Sequence, residues 1–476
     1  MTVMEPRARA ASGVEHLLLG KYPEPVLIPT ERYTSREFLE LEYEKLWPHV
    51  WQMACRQEEL PTVGDFVEYT IGDRSVLLVR SEPEVIKGFH NACLHRGRSL
   101  KEGCGSAREL RCGFHAWRWN LDGTIKEVVD AETFDPASIR PEDLSLPEVE
   151  VECWGGFVFI NFDHDAEPLR EFLAGLPGYF DDLWLDKLHI SSNRTVVLGA
   201  NWKVGLEAFV EAYHICGTHE QSMWTSDDSA WKYGRSLITG RHASLPFEYG
   251  EMLGDESGEK TMGDVRLKRG MKYSPRLGPG LEVDERANFV NSLRGLWSER
   301  GLMTAPEDMA IAEEVSQSDL PEGTSPWHAY RDRVIEDFRA TGIPVPPKLD
   351  APFMMVFPNV QTLFFSGPRT LQVYRFRPYG MDPDKCLFDI MYLRRYPEGH
   401  TPTVVREHHD PCITGDDGRD VAEFGLALYQ DLRNIPYIQR GLHSLEKPGV
   451  RPSGRQEESL RHLHEGIDGY LTRDWD

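Results

Sequence analysis

The chain contains 476 residues, and its 53 basic and 77 acidic residues give it a formal net charge of −24 at pH 7. Such an acidic composition argues against a nucleic-acid-binding protein, because phosphate backbones are bound by basic faces. Eight cysteines in a chain of this length do not indicate a disulfide scaffold. The length favours two or three domains.

The distribution of apolar residues along the chain indicates where in the cell the protein is expected. Glu15 and His16 interrupt the apolar run that a signal peptide would need near the start of the chain. No window contains the roughly 18 consecutive apolar residues of a membrane-spanning helix. We therefore expect a cytoplasmic protein that binds neither membranes nor nucleic acid.

The first half of the chain changes character near residue 48. Helical spacing with an acidic face predicts a helix over residues 35–47. From there to residue 165, short β-rich runs alternate with Gly-Asp turns. We therefore divide the chain into an N-terminal helical segment (1–47), an all-β domain (48–165) and a larger domain (166–476). The N-terminal segment is expected to pack on the larger domain.

The larger domain mixes helices and strands. Its predicted elements are a helical stretch (167–185), a strand that runs into a helix (190–214), a loop (344–352), three strands (359–367, 370–380 and 386–396) and helices from residue 416 onward. Turns between the three strands indicate one antiparallel sheet. Residues 225–300 are polar and glycine-rich and are hard to assign. We therefore expect the α+β class, with a sheet flanked by helices in the larger domain.

Two mixed pairs of metal-binding side chains occur in CLHRGRSLKEGCGSARELRCGFH, which runs from Cys93 to His115. The stretch opens with Cys93 and His95 and closes with Cys112 and His115. A zinc site can use two cysteines and two histidines, but a zinc finger groups Cys with Cys and His with His. In a Rieske centre, one iron of a 2Fe-2S cluster takes two thiolates and the other takes two imidazoles. The mixed pairs therefore favour a Rieske centre over zinc.

Cys104 lies between the two pairs and has no cysteine near it in sequence with which to form a disulfide. We expect it to be a small buried residue and not a ligand. Glycines at positions 97, 103, 105 and 113 suit loops that must bend closely around sulfur atoms.

A second metal site is indicated by NWKVGLEAFVEAYHICGTHEQ, residues 201–221. His214 and His219 are five residues apart, so on an ideal helix they would diverge by about 140°. Both can face one metal only if the helix bends or ends between them, and Gly217 permits this. Glu211 lies three residues before His214, on the same face of the predicted helix. A non-haem ferrous site that activates oxygen uses two histidines and one carboxylate and keeps positions open.

Both motifs resemble those of ring-hydroxylating oxygenases, in their large, alpha-type subunits, and the resemblance covers nearly the whole chain. CLHRG and CGFHAW resemble the Rieske signature of that family. EAYHICGTH resembles its Glu/Asp-x-Tyr-His-x4-His stretch, here with Glu211, Tyr213, His214 and His219. The resemblance implies an all-β Rieske 2Fe-2S domain, followed by a catalytic domain that holds a mononuclear Fe(II). The implied cluster ligands are Cys93, His95, Cys112 and His115.

Asp431 is the implied third ligand of the iron, beside His214 and His219. Related sequences carry a carboxylate shortly before a Gln-Arg-Gly-Leu-like element, which in this chain is residues 439–442. Asp420 and Glu423 are the fallback candidates.

The remaining assignments concern a polar stretch, two histidines near the end of the chain and a substrate pocket. We interpret EHHD (407–410) as a solvated polar turn, and His462 and His464 as surface positions. Some residues of the larger domain hint at an apolar substrate pocket: Phe209, Met252, Met354, Phe364 and Phe365.

The resemblance implies a terminal oxygenase component that uses O2 to hydroxylate an apolar, aromatic small molecule by ring dihydroxylation. No Gly-x-Gly-x-x-Gly fingerprint follows a predicted strand, so electrons are expected from a separate ferredoxin or flavin reductase. The alternative is a Rieske monooxygenase or demethylase acting on N- or O-methyl groups or alicyclic substrates. A Rieske electron carrier without catalytic iron is a more distant alternative, because the second histidine motif argues against it. A zinc-stabilised binding module is another.

The resemblance also implies an assembly. In a head-to-tail trimer, each cluster would serve the iron of the neighbouring subunit. Glu211 would then join the two sites, with hydrogen bonds to His214 of its own chain and to a cluster histidine of the next. Many relatives carry Asp at this position and some branches carry Glu. The resemblance does not decide whether a small beta subunit is also present.

Overall fold

The structure is a computed structural model, and it describes residues 27–211, 213–219, 236–244, 285–297, 304–322, 324–349, 353–364, 369–400, 402–404, 406–415, 421–454 and 456–475. Within these residues the strands form a seven-stranded, a three-stranded and an eight-stranded sheet. The first two sheets lie in the first third of the chain. The third sheet is combined with helices, which confirms the predicted α+β class.

Short strands build the β domain. The seven-stranded sheet contains β1 (Gln52–Arg56), β2 (Asp65–Ile71), β3 (Arg74–Glu82), β4 (Val85–His90), β5 (Cys104–Ser106), β9 (Glu148–Trp154) and β10 (Phe157–Asn161), in the order β1-β10-β9-β4-β3-β2-β5. The three-stranded sheet contains β6 (Leu110–Arg111), β7 (Arg118–Trp119) and β8 (Ile125–Glu127). Gly72, at φ +61°, makes the tight turn between β2 and β3, where a left-handed conformation suits the twist of a hairpin.

The loops that carry the cysteine–histidine pairs rest on an apolar core of their own. Its buried members are Phe66, Leu77, Val79, Phe89, Cys93, Leu100, Leu110, Cys112, Trp117, Trp119, Leu144 and Leu146. Both cysteines of the pairs belong to this core. Close packing of large rings around the bases of the loops holds them in one position relative to each other.

The larger domain is centred on the eight-stranded sheet. Its strands, in spatial order, are β12 (Ile238–Thr239), β13 (His242–Ser244), β14 (Met354–Val356), β15 (Val360–Phe364), β16 (Thr370–Tyr379), β17 (Asp382–Arg394), β11 (His189–Leu198) and β18 (Arg406–Ile413). β15, β16 and β17 are the three predicted strands, and their antiparallel pairing is confirmed. The interpretation of 407–410 as a polar turn is wrong, because these residues lie in β18, parallel to β11. Pairing with β11 is a tertiary contact that a polar sequence does not signal.

The helices of the described residues are α1 (Glu31–Thr34), α2 (Arg36–Lys45), α3 (Leu169–Phe172), α4 (Leu176–Phe180), α5 (Trp202–Glu207), α6 (Ile215–Thr218), α7 (Glu285–Gly295), α8 (Pro306–Gln317), α9 (Pro326–Thr341), α10 (Val421–Phe424), α11 (Leu426–Ser444) and α12 (Glu458–Leu471). Ser35 caps α2 by accepting the Phe38 N–H at 3.0 Å. The stretch predicted as helical at 167–185 is divided between α3, α4 and short 3-10 turns, and Pro177 lacks the N–H that a helix continuing from α3 would need. None of the described helices is long and apolar enough to cross a membrane.

Helices α1 and α2 lie against the larger domain through buried polar contacts. Lys203 Nζ on α5 lies 2.6 Å from Glu42 Oε1 on α2, and both side chains are fully buried. Trp202 Nε1 donates to the other oxygen of Glu42 at 3.0 Å. Arg32 on α1 binds Asp468 on α12 at 2.6 Å. The segment before the β domain is thus fixed to helices that lie far from it in sequence.

Replacing Lys203 by Met will destabilise the protein by about 3–5 kcal/mol, because the Glu42 carboxylate then stays buried without its counter-charge. The free energy of unfolding, measured by denaturant titration of the metal-loaded protein, checks this. The exposed pair Arg36–Glu40, at 3.0 Å on α2, provides the control. Arg36→Met should change the free energy of unfolding by less than about 1 kcal/mol. A loss for Lys203→Met no larger than that of the control would contradict the prediction.

Three charged residues join the sheet of the larger domain to the β domain. Asp389 on β17 lies 2.8 Å from Arg375 Nε and 2.9 Å from Arg377 Nε, both on β16. Arg375 also donates to the Met53 carbonyl at 2.6 Å, and Arg377 donates to the Thr70 carbonyl at 2.6 Å. The face of the sheet that carries these side chains is therefore covered by the β domain.

Candidate metal centres

The two cysteine–histidine loops lie side by side. His95 Nδ1 and His115 Nδ1 are 3.1 Å apart. The Cys93 and Cys112 side chains lie within hydrogen-bonding contact of each other. Both cysteines are buried, whereas both imidazoles are half-buried. The sulfur atoms therefore lie in the apolar core and the two imidazoles lie together nearer to the solvent.

Backbone hydrogen bonds and one stacked ring hold these loops. The Cys93 N–H donates to the Arg98 carbonyl at 2.8 Å, and the Cys112 N–H donates to the Trp117 carbonyl at 2.9 Å. The Trp117 ring stacks on the His95 ring, with centroids 5.0 Å apart and planes 10° apart. These contacts hold the two loops and the His95 ring in place.

The two thiols differ in their ease of ionisation, because burial raises the pKa of Cys93 whereas that of Cys112 is lowered. Burial opposes ionisation of Cys112 as well, but the backbone N–H groups of Phe114 and His115 point at the sulfur and lower its pKa below the ordinary value. A thiol with a lowered pKa binds metal readily as the thiolate. Two adjacent thiols and two adjacent imidazoles fit the donor set of a Rieske 2Fe-2S cluster, in which each iron takes one kind of ligand.

Cys104 is exposed, so the prediction that it is buried is wrong. It begins β5, which lies at the edge of the seven-stranded sheet and whose three residues are all exposed. Burial here depends on the position of the strand in the sheet, which the sequence around Cys104 does not reveal.

A second group of potential metal ligands consists of His214, His219 and Asp431, whose ligand atoms all lie within 4.8 Å of one another. The two Nε2 atoms are 3.2 Å apart. Asp431 Oδ1 lies 3.1 Å from His219 Nε2 and 3.7 Å from His214 Nε2. Bonds of about 2.1 Å from one metal ion to three ligands at right angles place ligand atoms about 3 Å apart. The group therefore fits a single mononuclear metal ion.

The local fold explains how two histidines five residues apart converge. His214 directly precedes α6 and His219 directly follows it, so a single helical turn separates them. Asp431 reaches the same point from α11, more than two hundred residues later in the chain. The prediction that Glu211 shares a helical face with His214 is wrong, because α5 ends at Glu207 and residue 211 lies in the connection before α6.

Both histidines are oriented by a second hydrogen bond. Glu211 Oε1 lies 2.5 Å from His214 Nδ1, and Glu211 Oε2 accepts the backbone N–H groups of Tyr213 and His214. Gln430 Oε1 lies 2.9 Å from His219 Nδ1. These contacts occupy each Nδ1 and leave each Nε2 free for a metal, which is the usual outer support of metal-binding histidines. No sequence motif pointed to Gln430, although its position beside Asp431 could have indicated it.

The charges around His214 favour its protonated form when no metal is bound. Burial opposes protonation, but the hydrogen bond and charge of Glu211 and the charge of Asp431 outweigh it and raise the pKa of His214 to about 9. Burial opposes protonation of His219 as well, and Asp431 raises the pKa of that residue too. A metal ion must displace these protons, so metal affinity should fall as the pH falls.

The fallback carboxylates do not join this group within the described residues. Glu423 Oε1 lies 2.6 Å from Arg194, and Asp420 lies outside the described residues. The surface assignment of His464 is wrong, because its side chain is fully buried, with Nε2 2.8 Å from Glu207 Oε1. His462 is half-buried, 3.1 Å from the Gly240 carbonyl. Both histidines lie on α12, and His464 lies on the side of that helix whose apolar residues face the interior.

Of the predicted pocket residues, Phe209 lies nearest to the metal ligands in the chain. Its ring packs against Tyr374 with centroids 4.9 Å apart, and against Phe376 and Phe388. Met354 is fully buried in β14, and Phe364 ends β15. Met252 and Phe365 lie outside the described residues.

Two known family models match this chain. Residues 185–473 match the ring hydroxylating alpha subunit (catalytic domain), and residues 50–139 match the Rieske [2Fe-2S] domain. A Rieske domain carries a 2Fe-2S cluster, and the catalytic domain of ring-hydroxylating oxygenases binds mononuclear iron.

Curated relatives share part of the chain. It is 31% identical over 269 residues to the large oxygenase component of salicylate 5-hydroxylase from Ralstonia sp. This match covers 52% of this chain and 62% of that protein. It is 32% identical to the carnitine monooxygenase oxygenase subunit of Escherichia coli (strain K12), over 40% of this chain and 51% of that one. It is 32% identical to the alpha subunit of 2-aminobenzenesulfonate 2,3-dioxygenase from Alcaligenes sp, over 38% of this chain and 47% of that protein. The matches thus span between about half and two thirds of these relatives.

Solved structures share the fold over almost the whole chain. A quaternary ammonium Rieske monooxygenase, in complex with an inhibitor, aligns with a TM-score of 0.60 at 17% identity, over 94% of this chain and 95% of that one. A naphthalene 1,2-dioxygenase mutant bound to phenanthrene aligns with a TM-score of 0.60 at 18% identity, over 94% of this chain and 93% of that one. Since the catalytic-domain match covers more than half of the sequence, the chain belongs to the family of ring hydroxylating alpha subunits, with a Rieske [2Fe-2S] domain in front of its catalytic domain.

Proposed function

We propose that this protein is a terminal oxygenase component that uses O2 and electrons from a separate ferredoxin or flavin reductase to hydroxylate a small organic molecule. The observation that carries the proposal is the convergence of His214 Nε2, His219 Nε2 and Asp431 Oδ1 within one metal-sized group, in a chain that also has a Rieske domain. Two histidines and one carboxylate leave part of the coordination sphere of Fe(II) open for O2.

The residues of the chain have separate tasks in this proposal. When bound, the cluster supplies electrons one at a time and the ferrous ion supplies oxygen activation. His214, His219 and Asp431 would hold the iron. Glu211 and Gln430 would keep the two imidazoles turned so that each Nε2 faces it. The cluster ligands would be Cys93, His95, Cys112 and His115, which we place in a Rieske domain extending over residues 48–165.

We also propose the head-to-tail trimer, in which each cluster serves the iron of the next subunit. Exposed aromatic residues beside both sites support it. Phe114 is 61% exposed beside the cluster ligand His115, and Tyr213 is 57% exposed beside Glu211 and His214. Aromatic side chains are enriched at surfaces that meet another protein. Glu211 would then connect His214 to a cluster histidine across the interface.

The outcome of the reaction has two candidates. Ring dihydroxylation is the first, supported by the aromatic cluster of Phe209, Tyr374 and Phe376, whose first member lies five residues before His214. Monooxygenation is the second, supported by the carnitine monooxygenase and salicylate 5-hydroxylase relatives. A substrate panel with a surrogate reductase and isotope-labelled O2 tests both. Two labelled atoms in the product indicate dihydroxylation, one indicates monooxygenation, and no oxidised product across the panel counts against the proposed function.

Iron and sulfide analysis should give about three irons and two labile sulfides per chain, because a Rieske cluster holds two of each and the second group holds one more iron. The protein should also be reddish-brown, whereas a zinc protein would be colourless. Preparation without sulfide, which still allows mononuclear iron to bind, is the control. Active protein with about two irons per chain would remove the second group from the proposal.

A further inference from the structure

Two glutamines on the central sheet are not used by the proposed metal sites. Gln361 lies on β15, where it pairs with Tyr374 of β16. Gln372 lies on β16, two residues before Tyr374, and pairs with Tyr392 of β17. Residues two apart on a strand, and residues paired across strands, point to the same side of a sheet. The four side chains therefore share one face.

This face looks toward the proposed iron site. The opposite face carries Arg375 and Arg377, which bind the β domain. On the shared face, Phe209 packs on Tyr374 at 4.9 Å, and Phe209 lies two residues before Glu211. Helix α5 also lies on this side, since a Cβ at Gly205 would be 2.6 Å from the Phe376 ring. The segment that leads to His214 therefore crosses the sheet beside Tyr374. Gln372 lies about 7 Å further along the same strand.

Both carboxamides are buried without partners. Gln361 is 0% exposed and Gln372 is 2% exposed. Among the described residues, neither the nitrogen nor the oxygen of either side chain has a hydrogen-bond partner. The nearby hydroxyl groups of Tyr374 and Tyr392 do contact each other, at 3.3 Å. Buried polar side chains are nearly always paired, so four unpaired atoms on one face of the sheet call for a partner beyond the described residues.

We propose that Gln361 and Gln372 form a polar subsite that binds the substrate of the proposed oxygenase through a neutral group with both a hydrogen-bond donor and an acceptor, such as a carboxamide. The inference rests on the proposed function. A carboxamide side chain offers an N–H donor and a carbonyl acceptor, and it carries no charge with which to neutralise a buried ion. The aromatic rings of Phe209 and Tyr374 would contact the apolar part of the same molecule. A plain aromatic hydrocarbon would leave both carboxamides unpaired.

The stability of the metal-loaded protein tests the first half of the inference without any substrate. Gln361→Leu and Gln372→Leu should leave the thermal midpoint unchanged or raise it, because each removes polar atoms that have no partner. Gln52 is a matched control, since it is fully buried but contacts the Trp47 carbonyl at 2.6 Å and the Tyr69 hydroxyl at 3.2 Å. Gln52→Leu should lower the midpoint. A similar fall in both Gln361→Leu and Gln372→Leu would overturn the inference, since it would show that these carboxamides are satisfied within the free protein.

Ligand binding tests the second half, with benzamide and cumene as probes of similar shape that differ in hydrogen bonding. Dissociation constants are measured by titration of the oxygen-free, metal-loaded protein. Benzamide should bind more tightly than cumene, and each Leu variant should weaken benzamide by about tenfold while leaving cumene unchanged. Equal binding of the two probes to the natural protein, binding of neither, or an unchanged benzamide constant in the variants would overturn the inference. Binding requires no turnover, so failure of the oxygenase proposal would instead appear as absence of O2-dependent product.

Discussion

Product formation will collapse in Glu211→Gln, while both metal centres stay loaded and the cluster still accepts electrons from its reductase. The glutamine keeps the shape of the side chain but removes its charge and one of its two acceptor oxygens. In the structure one oxygen contacts His214 Nδ1 and the other accepts two backbone N–H groups, so the amide cannot satisfy both sets. Loss of such an outer partner commonly costs 10–100-fold in activity. The loss should be larger here if the same carboxylate aligns a cluster histidine of the next subunit.

A single-turnover experiment in a stopped-flow instrument measures this. Reduced protein is mixed with oxygen and substrate, and cluster reoxidation and product are followed together. Glu207→Gln is the matched control, because burial raises the pKa of Glu207 to about 8 and the amide resembles its neutral form. Glu207 contacts His464 and Tyr33 and not the iron ligands. Reoxidation and product at natural levels in Glu211→Gln would refute the bridging role.

Asp431→Ala should lose the mononuclear iron and all but a small part of turnover, while the reddish cluster remains. A methyl group supplies neither the third ligand nor the negative charge that balances Fe(II). The remaining ligands, His214 and His219, would hold the ion weakly, so activity should fall by more than about 100-fold. Iron and sulfide content, visible absorption and product yield measure the three parts of this prediction.

Variants of the neighbouring carboxylates provide the comparison. Glu423 is paired with Arg194 at 2.6 Å, so Glu423→Ala should keep the mononuclear iron. Asp420→Ala should keep it as well. Asp431→Asn, which preserves shape but not charge, should retain more iron than Asp431→Ala. Full iron content in Asp431→Ala, with loss in one of the other two positions, would transfer the role of third ligand to that residue.

Local spacing was sufficient for the elements that depend on local chemistry. The antiparallel strands β15, β16 and β17 follow from apolar runs between turns, and α2 follows from helical spacing after the capping residue Ser35. Sequence failed where a tertiary contact outweighed local character. The polar residues 407–410 form a strand because β11 offers a partner, and His464 is buried because the apolar side of α12 faces the interior.

The cysteine and histidine pairs were readable from the sequence, because ligands carried on one short loop must be close in sequence, and their chemical types restrict the metal. Spacing also placed His214 and His219 in one motif. What only the tertiary structure decided is how distant parts of the chain meet. The approach of Asp431 to those histidines, the hydrogen bond that Gln430 accepts from His219, and the placement of Gln361 and Gln372 on one face of the sheet all depend on the packing of α11 and of neighbouring strands. Such contacts leave no local pattern, because a side chain's neighbours across a fold are set by the register of strands and the docking of helices.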